Sequence, residues 1–154
     1  MPFSCSKGAG MSPLDREIIR RKLAVIVENL NALKPIMKMT KEAYIGDVYK
    51  RKATERLLQE MIEAAIDINT HMIVQGGHIA PDDYYESFIK AGEFKLISAA
   101  LAERLAPSAG LRNRLVHEYD LLDHSIVFDA VHLAEKLYPK YVKDIENYIS
   151  KEDE

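Results

Sequence analysis

Apolar residues in this chain recur every three or four positions and do not alternate. Ile19, Leu23, Ile26, Leu30 and Leu33 step in this way, and so do Leu57, Met61, Ala64, Ile68 and Met72. That spacing puts each set on one stripe of an α-helix. A half-buried strand would show period-two alternation instead, and no stretch of any length does. No self-similarity recurs at periods of about 20–50 residues, so repeat architectures are excluded. The spacing predicts an all-α fold: an antiparallel helical bundle of four long helices plus a short one.

Punctuation residues set the expected boundaries. Ser12-Pro13 offers an N-cap followed by proline at the first turn, so a helix is expected over 13–33, with Pro35 at its end. A long second helix is expected over 40–75, with Gly46 as the place where it would bend and Gly76-Gly77 as its stop. Asp82 is expected to cap a short helix ending near Ala91, and Ser98 to cap the next, which carries Leu101 and Leu105. Beyond Pro107 a helix is expected over 108–119. The last runs from Ser125 to about Tyr148, with Pro139 starting or kinking its final segment.

With 154 residues the chain suits a single domain, expected over 13–149 between a flexible leader (1–12) and an acidic tail (150–154). Met11 offers an alternative start. The leader lacks the roughly 7–15-residue apolar stretch of a secretory signal, and no run of about 18 apolar residues suggests a membrane span. The one cysteine, Cys5, cannot form a disulfide within the chain, and a cytoplasmic protein is expected. A formal net charge of −3 argues against a protein that coats DNA, while leaving room for a local basic patch.

Most candidate chemistry reads as ordinary surface. His71, His78, His117, His124 and His132 include no pair four apart, and no cysteine cluster joins them, so no metal site is expected. His71 and His78 flank the Gly-Gly turn as surface or capping groups. Arg20-Arg21-Lys22 and Lys50-Arg51-Lys52 read as solvated helix faces, and Tyr84-Tyr85 as core and rim. The stretch RNRLVHEYD (112–120) differs, for it crowds arginine, asparagine, histidine and tyrosine around a Leu-Val pair. On a straight helix Asn113 and His117 share one face, and Arg112 and Tyr119 share another. Arg112 and His117 then lie about 140° apart around the axis. One copy of such a helix does not aim both at one point. A bend, a curling arginine, or two copies meeting across a two-fold axis would each do so. Leu111, Leu115 and Leu122 are expected to tie this helix to the core. The plain alternative is an exposed Arg/His/Glu face.

Taken whole, Arg112-x4-His117-x-Tyr119, with polar Asn113 after the arginine, resembles the HEPN superfamily motif. More narrowly it resembles the HepT branch of HepT–MntA toxin–antitoxin pairs (type VII-like). The segments KRKATERLLQEMIEAAIDINTHMI (50–73), DDYYESF (82–88) and HEYDLLDHSIVFDAV (117–131) are similar to that family as well. The resemblance spans about residues 14–148 with no departure from the motif. It implies a toxin that dimerises around the motif helices and cleaves RNA, leaving DNA and membranes alone, without metal or cofactor. Arg112, Asn113 and His117 would be catalytic. A histidine exchanges protons near neutral pH, and an arginine fork suits a phosphate whose charge grows in the transition state. Tyr119 resembles the tyrosine that an MntA-like minimal nucleotidyltransferase antitoxin modifies with AMP, which would put bulk and negative charge where RNA phosphate binds. The alternative is a non-catalytic helical dimer serving as a platform for such a nucleotidyltransferase.

Overall fold

The computed structural model describes residues 11–152. Among them the chain is helical, with no strand: α1 (Pro13–Met37), α2 (Lys41–Ile45), α3 (Val48–Gln75), α4 (Tyr84–Glu93), α5 (Ala99–Leu105), α6 (Ser108–His117), a 3₁₀ turn (Tyr119–Leu121) and α7 (His124–Glu152). The all-α expectation therefore holds.

Side-chain bridges give the directions of the helices. Asp15 meets His71, Lys22 meets Asp67, and Asn29 meets Leu57 and Glu60, so α1 and α3 are antiparallel. Arg20 meets Glu146 and Lys34 meets Glu135, so α1 and α7 are antiparallel too. It follows that α3 and α7 run the same way, with His124 beside Glu55 and Tyr141 beside Asn69. The chain must travel back along α3 before α7 can begin. That return leg is the fourth side of the bundle, and it is divided into α4, α5 and α6.

Local chemistry explains the boundaries. Ser12 and Asp15 form a capping box at the start of α1: Ser12 Oγ accepts from the Asp15 N–H, and Asp15 Oδ2 accepts from the Ser12 N–H. Met11 is buried against the core, so two residues assigned to the leader belong to the packed chain. Cys5 and the rest of the leader lie outside the described residues. Pro35 and Pro139 are both exposed and both sit inside helices, so α1 reaches Met37 and α7 runs unbroken from His124 to Glu152. Most of the expected acidic tail thus belongs to α7. The expected helix over 40–75 is broken rather than bent. Gly46 ends α2, and the Asp47 side chain caps α3 by accepting from the Lys50 N–H. Asp83, not Asp82, caps α4, and Asp123 caps α7 by accepting from the Ser125 and Ile126 N–H groups. Gly77, at φ 90°, supplies the left-handed residue just after α3.

A buried polar chain sets the register of the long helices. The Tyr141 hydroxyl donates to Asn69 Oδ1 at 2.6 Å and lies 3.1 Å from the Ala65 carbonyl. Asn69 Nδ2 donates to Ser87 Oγ at 3.4 Å, and Ser87 Oγ donates to the Tyr84 carbonyl at 2.7 Å. Burial pushes the Tyr141 phenol well above its ordinary pKa, so it stays a neutral donor.

Two of these contacts can be tested through stability. A Cβ on Gly92 would lie 2.6 Å from Ala102 Cβ, because α4 and α5 approach closely there. Gly92→Ala should therefore cost about 1–3 kcal/mol by overpacking, read from urea denaturation. The Ser12 hydroxyl, and after it the nearby His71, holds the Asp15 carboxyl below its ordinary value of 3.8, against an opposing effect of burial. The stabilisation from a lowered carboxyl is present above that value and is lost as pH falls through the folded-state pKa. Asp15→Asn should thus destabilise at pH 7 and converge on wild type toward pH 3. A deficit that persisted in acid would show that the cap is not electrostatic.

Candidate active site

Pro107 precedes α6, which has no side-chain cap at its start and is held down by buried Ala109 and Leu115. Leu111 and Leu122 pack on the core as partly buried neighbours, so the expected anchoring stripe is present. That orientation leaves Asn113 and His117 exposed.

The helix stops at His117. Glu118 leaves helical geometry at φ −131° and ψ 33°, while its N–H still bonds the Arg114 carbonyl at 2.9 Å. The Leu121 N–H then closes the 3₁₀ turn on the Glu118 carbonyl at 2.8 Å. Only residues 118–123 connect α6 to α7, and Asp123 must be free to cap α7. Tyr119 therefore lies in the turn and not on a helix. The expected sharing of a face with Arg112 is lost, because a seven-residue spacing aligns two groups only while the helix continues. Tyr119 is 61% exposed.

Arg112 is the most constrained of the four residues. Its Nε donates to Glu63 Oε2 on α3 at 3.0 Å, and its Nη1 donates to Asn113 Oδ1 at 3.3 Å. Its guanidinium carbon lies 4.8 Å from the ring centroid of Tyr84, at the start of α4. Arg112 and Asn113 are thus joined directly. The His117 ring, one turn beyond Asn113, makes no hydrogen bond among the described residues. Within one chain the structure brings Arg112 and Asn113 together and leaves His117 and Tyr119 at the open end of the helix.

Reading the sequence missed Glu63, Gln59 and Tyr84. Glu63 looks like one more acid on a long helix, and only the packing of α6 on α3 makes it a partner of Arg112. Tyr84 and Tyr85 are 40% and 51% exposed, so neither is in the core. His71 bridges to Asp15 at 2.9 Å, and His78 stacks on Phe94 at 3.8 Å. Just past the turn, His124 Nδ1 lies 3.9 Å from the buried Glu55. Burial, then the Glu55 charge, pushes the neighbouring Tyr44 phenol up to about 12. Among the described residues no cluster of three or more His, Cys, Asp or Glu side chains is placed to hold a metal ion, and no helix is long and apolar enough to cross a membrane. The arrangement offers a guanidinium with donors to spare, an imidazole open to solvent and an accessible phenol. That is equipment for binding a phosphate and moving protons beside it.

Comparison with known proteins agrees with this chemistry. The Ribonuclease HepT-like family matches residues 26–147. A tRNA nuclease HepT from Aphanizomenon flos-aquae is 38% identical over 139 residues, covering 90% of this chain and 95% of that protein. An mRNA nuclease HepT from Shewanella oneidensis is 29% identical over 131 residues, covering 81% of this chain and 93% of that protein. Among solved structures, the tri-AMPylated Shewanella oneidensis HEPN toxin in complex with its MNT antitoxin is similar at a TM-score of 0.77 and 26% identity, covering 89% of this chain and 99% of that one. The chain belongs to the ribonuclease HepT-like family.

Proposed function

We propose that this protein is a toxin ribonuclease of the cytoplasm, acting as a homodimer and silenced by a nucleotidyltransferase antitoxin that adenylylates Tyr119. The observation that carries this reading is the intact Arg112-x4-His117-x-Tyr119 motif, at the exposed end of α6 in a chain of this family.

The chemistry needs only protons and a cation. The RNA 2′-hydroxyl attacks the adjacent phosphorus as its proton passes to a base, and the leaving 5′-oxygen takes a proton. The products are a 2′,3′-cyclic phosphate and a 5′-hydroxyl. His117 is the proton carrier. Arg112, steadied by Asn113, offers its remaining N–H donors to the phosphate oxygens. DNA, lacking the 2′-hydroxyl, is inert in this reaction. A second copy supplies the second histidine that a paired base and acid require. An apolar groove of about 290 Å³ supports such a dimer. It is lined by Leu111 of the motif helix together with Leu58, Met61, Ile126 and Leu133, of which Ile126 and Leu133 are 54% and 46% exposed. The exposure of Tyr119 supports its reading as the modified residue, because another protein's active site must reach its hydroxyl.

The deciding experiment is sequencing of RNA 5′-hydroxyl ends after brief expression of wild type and of His117→Ala. New ends should appear with wild type only. Absence of toxicity in every background would instead favour the non-catalytic platform. With purified protein, His117→Ala and Arg112→Ala should each slow cleavage by roughly 10²–10⁴-fold, and EDTA should leave the rate unchanged. His117→Ala should keep its stability within about 0.5 kcal/mol, whereas Arg112→Ala should lose more, since it leaves Glu63 without its cation.

Two further measurements address assembly and silencing. Sedimentation at micromolar concentration should show a dimer, and Leu133→Glu should give a monomer with little activity. A wild-type monomer would remove the shared pocket. Tyr119→Phe should remain folded and toxic while escaping rescue by the co-expressed antitoxin. Intact mass should show added AMP on wild type and none on the variant.

A further inference from the structure

The Arg112 guanidinium is held before any substrate arrives. Glu63 Oε2 accepts from the Arg112 Nε–H at 3.0 Å, and the same oxygen accepts from Gln59 Nε2 at 3.3 Å, one turn earlier on α3. The Tyr84 ring lies against the guanidinium on another side, and Asn113 Oδ1 accepts one Nη1 proton. Contacts from α3 and α4 thus converge on a side chain of α6 that is only 17% exposed, whereas Glu63 itself is 34% exposed.

A guanidinium carries five N–H donors. Glu63 and Asn113 occupy two of them. The three that remain are one on Nη1 and both on Nη2, at the end of the fork. That edge can meet two phosphate oxygens side by side. A carboxylate near a phosphate site repels the substrate, so its presence there calls for a compensating role. The contact geometry supplies one, since Glu63 grips the arginine at the Nε side and leaves the fork's end open.

We infer that Glu63 is a positioning residue for Arg112. It fixes the guanidinium so that the Nη1/Nη2 edge faces the scissile phosphate as charge develops on it, and it does not itself touch RNA. This rests on the ribonuclease reading and extends it to α3. Two other roles make opposite forecasts. A latch that withholds Arg112 from substrate predicts faster cleavage and tighter RNA binding once Glu63 is gone. A purely structural tie between α3 and α6 predicts lower stability with unchanged kcat in the folded fraction.

The test uses purified full-length wild type, Glu63→Ala, Glu63→Gln and Glu63→Met, with bulk tRNA and total cellular RNA as probes and 5′-hydroxyl ends as the signal. Glu63→Ala and Glu63→Met should lower kcat on the order of 10²-fold, the usual cost of a misplaced catalytic group, with little change in KM. Glu63→Gln keeps an oxygen that accepts from Nε and should recover most of that loss. Adding Glu63→Ala to Arg112→Ala should cost nothing further, because a positioning residue has no effect without the group it positions. A second readout needs no catalysis. The Arg112 Nε–H resonance, identified by its absence in Arg112→Lys, should be protected from solvent exchange in wild type and Glu63→Gln and exposed in Glu63→Ala.

Wild-type or higher kcat in Glu63→Ala overturns the inference. So does a Glu63→Gln variant no better than Glu63→Ala, or an undiminished Glu63→Ala effect in the Arg112→Ala background. If wild type cuts neither probe, the ribonuclease reading fails and the positioning role falls with it, while the protected Nε–H would still report an intact ion pair. Should Glu63→Ala not fold, Glu63→Met keeps a packing stem on α3 and answers the same question.

Discussion

The packing of α3 governs everything else in this molecule. Met61, Ile62, Ala64, Ala65, Ile66, Ile68 and Asn69 are all buried, so this helix meets neighbours on nearly every side. Apolar burial alone would let those neighbours slide, because it scales with area and has no direction. The hydrogen bonds from Tyr141 to Asn69 and from Asn69 to Ser87 do have direction. Each would leave a buried polar group unpaired if α7 or α4 moved by a turn, which is far costlier than a shifted methyl contact. α3 thereby sets the height at which the return leg lies.

That height decides the chemistry. Arg112 comes from α6, but its place is set by Glu63 on α3 and Tyr84 on α4. Eight residues earlier on α3, Glu55 meets His124 at the start of α7. The motif helix and its turn are therefore strung along about 12 Å of one rigid helix. Arginine is ordered at the fixed end of this span. His117 and Tyr119 lie where α6 gives way to the turn, and they remain open. The division leaves one preset electrostatic element beside side chains that stand open to solvent.

The break at Glu118 has the same logic. Had the helix continued to residue 119, Tyr119 would have stood on the face of Arg112, against α3 and α4. Leaving the helix puts its phenol into an exposed turn instead. Under the proposed function this place suits Tyr119, because an extended or turning backbone enters a foreign active site more readily than a packed helix face does.

The sequence by itself determined the all-α class, the caps at Ser12 and Ser98, and the identity of Arg112, Asn113, His117 and Tyr119 as an unusual group. Those are local matters: a period of three to four, a hydroxyl before a helix, polar residues where leucine and lysine would serve. Boundaries slipped where local signals were overridden. Pro35 and Pro139 were absorbed into α1 and α7, and Gly46-Asp47 became a break because Asp47 could cap a new helix. What only the tertiary structure decided is which groups share space. Glu63 lies 49 positions from Arg112 along the chain and carries no signal of its own. Tyr84 looked like core until α6 was laid beside it. The separation of Tyr119 from Arg112 depends on where the helix ends, and that is fixed by the need to turn within residues 118–123 into α7. Helical spacing is written in neighbours along the chain, while a site is assembled from residues far apart in it, which become partners only when buried surfaces and hydrogen bonds have chosen one register.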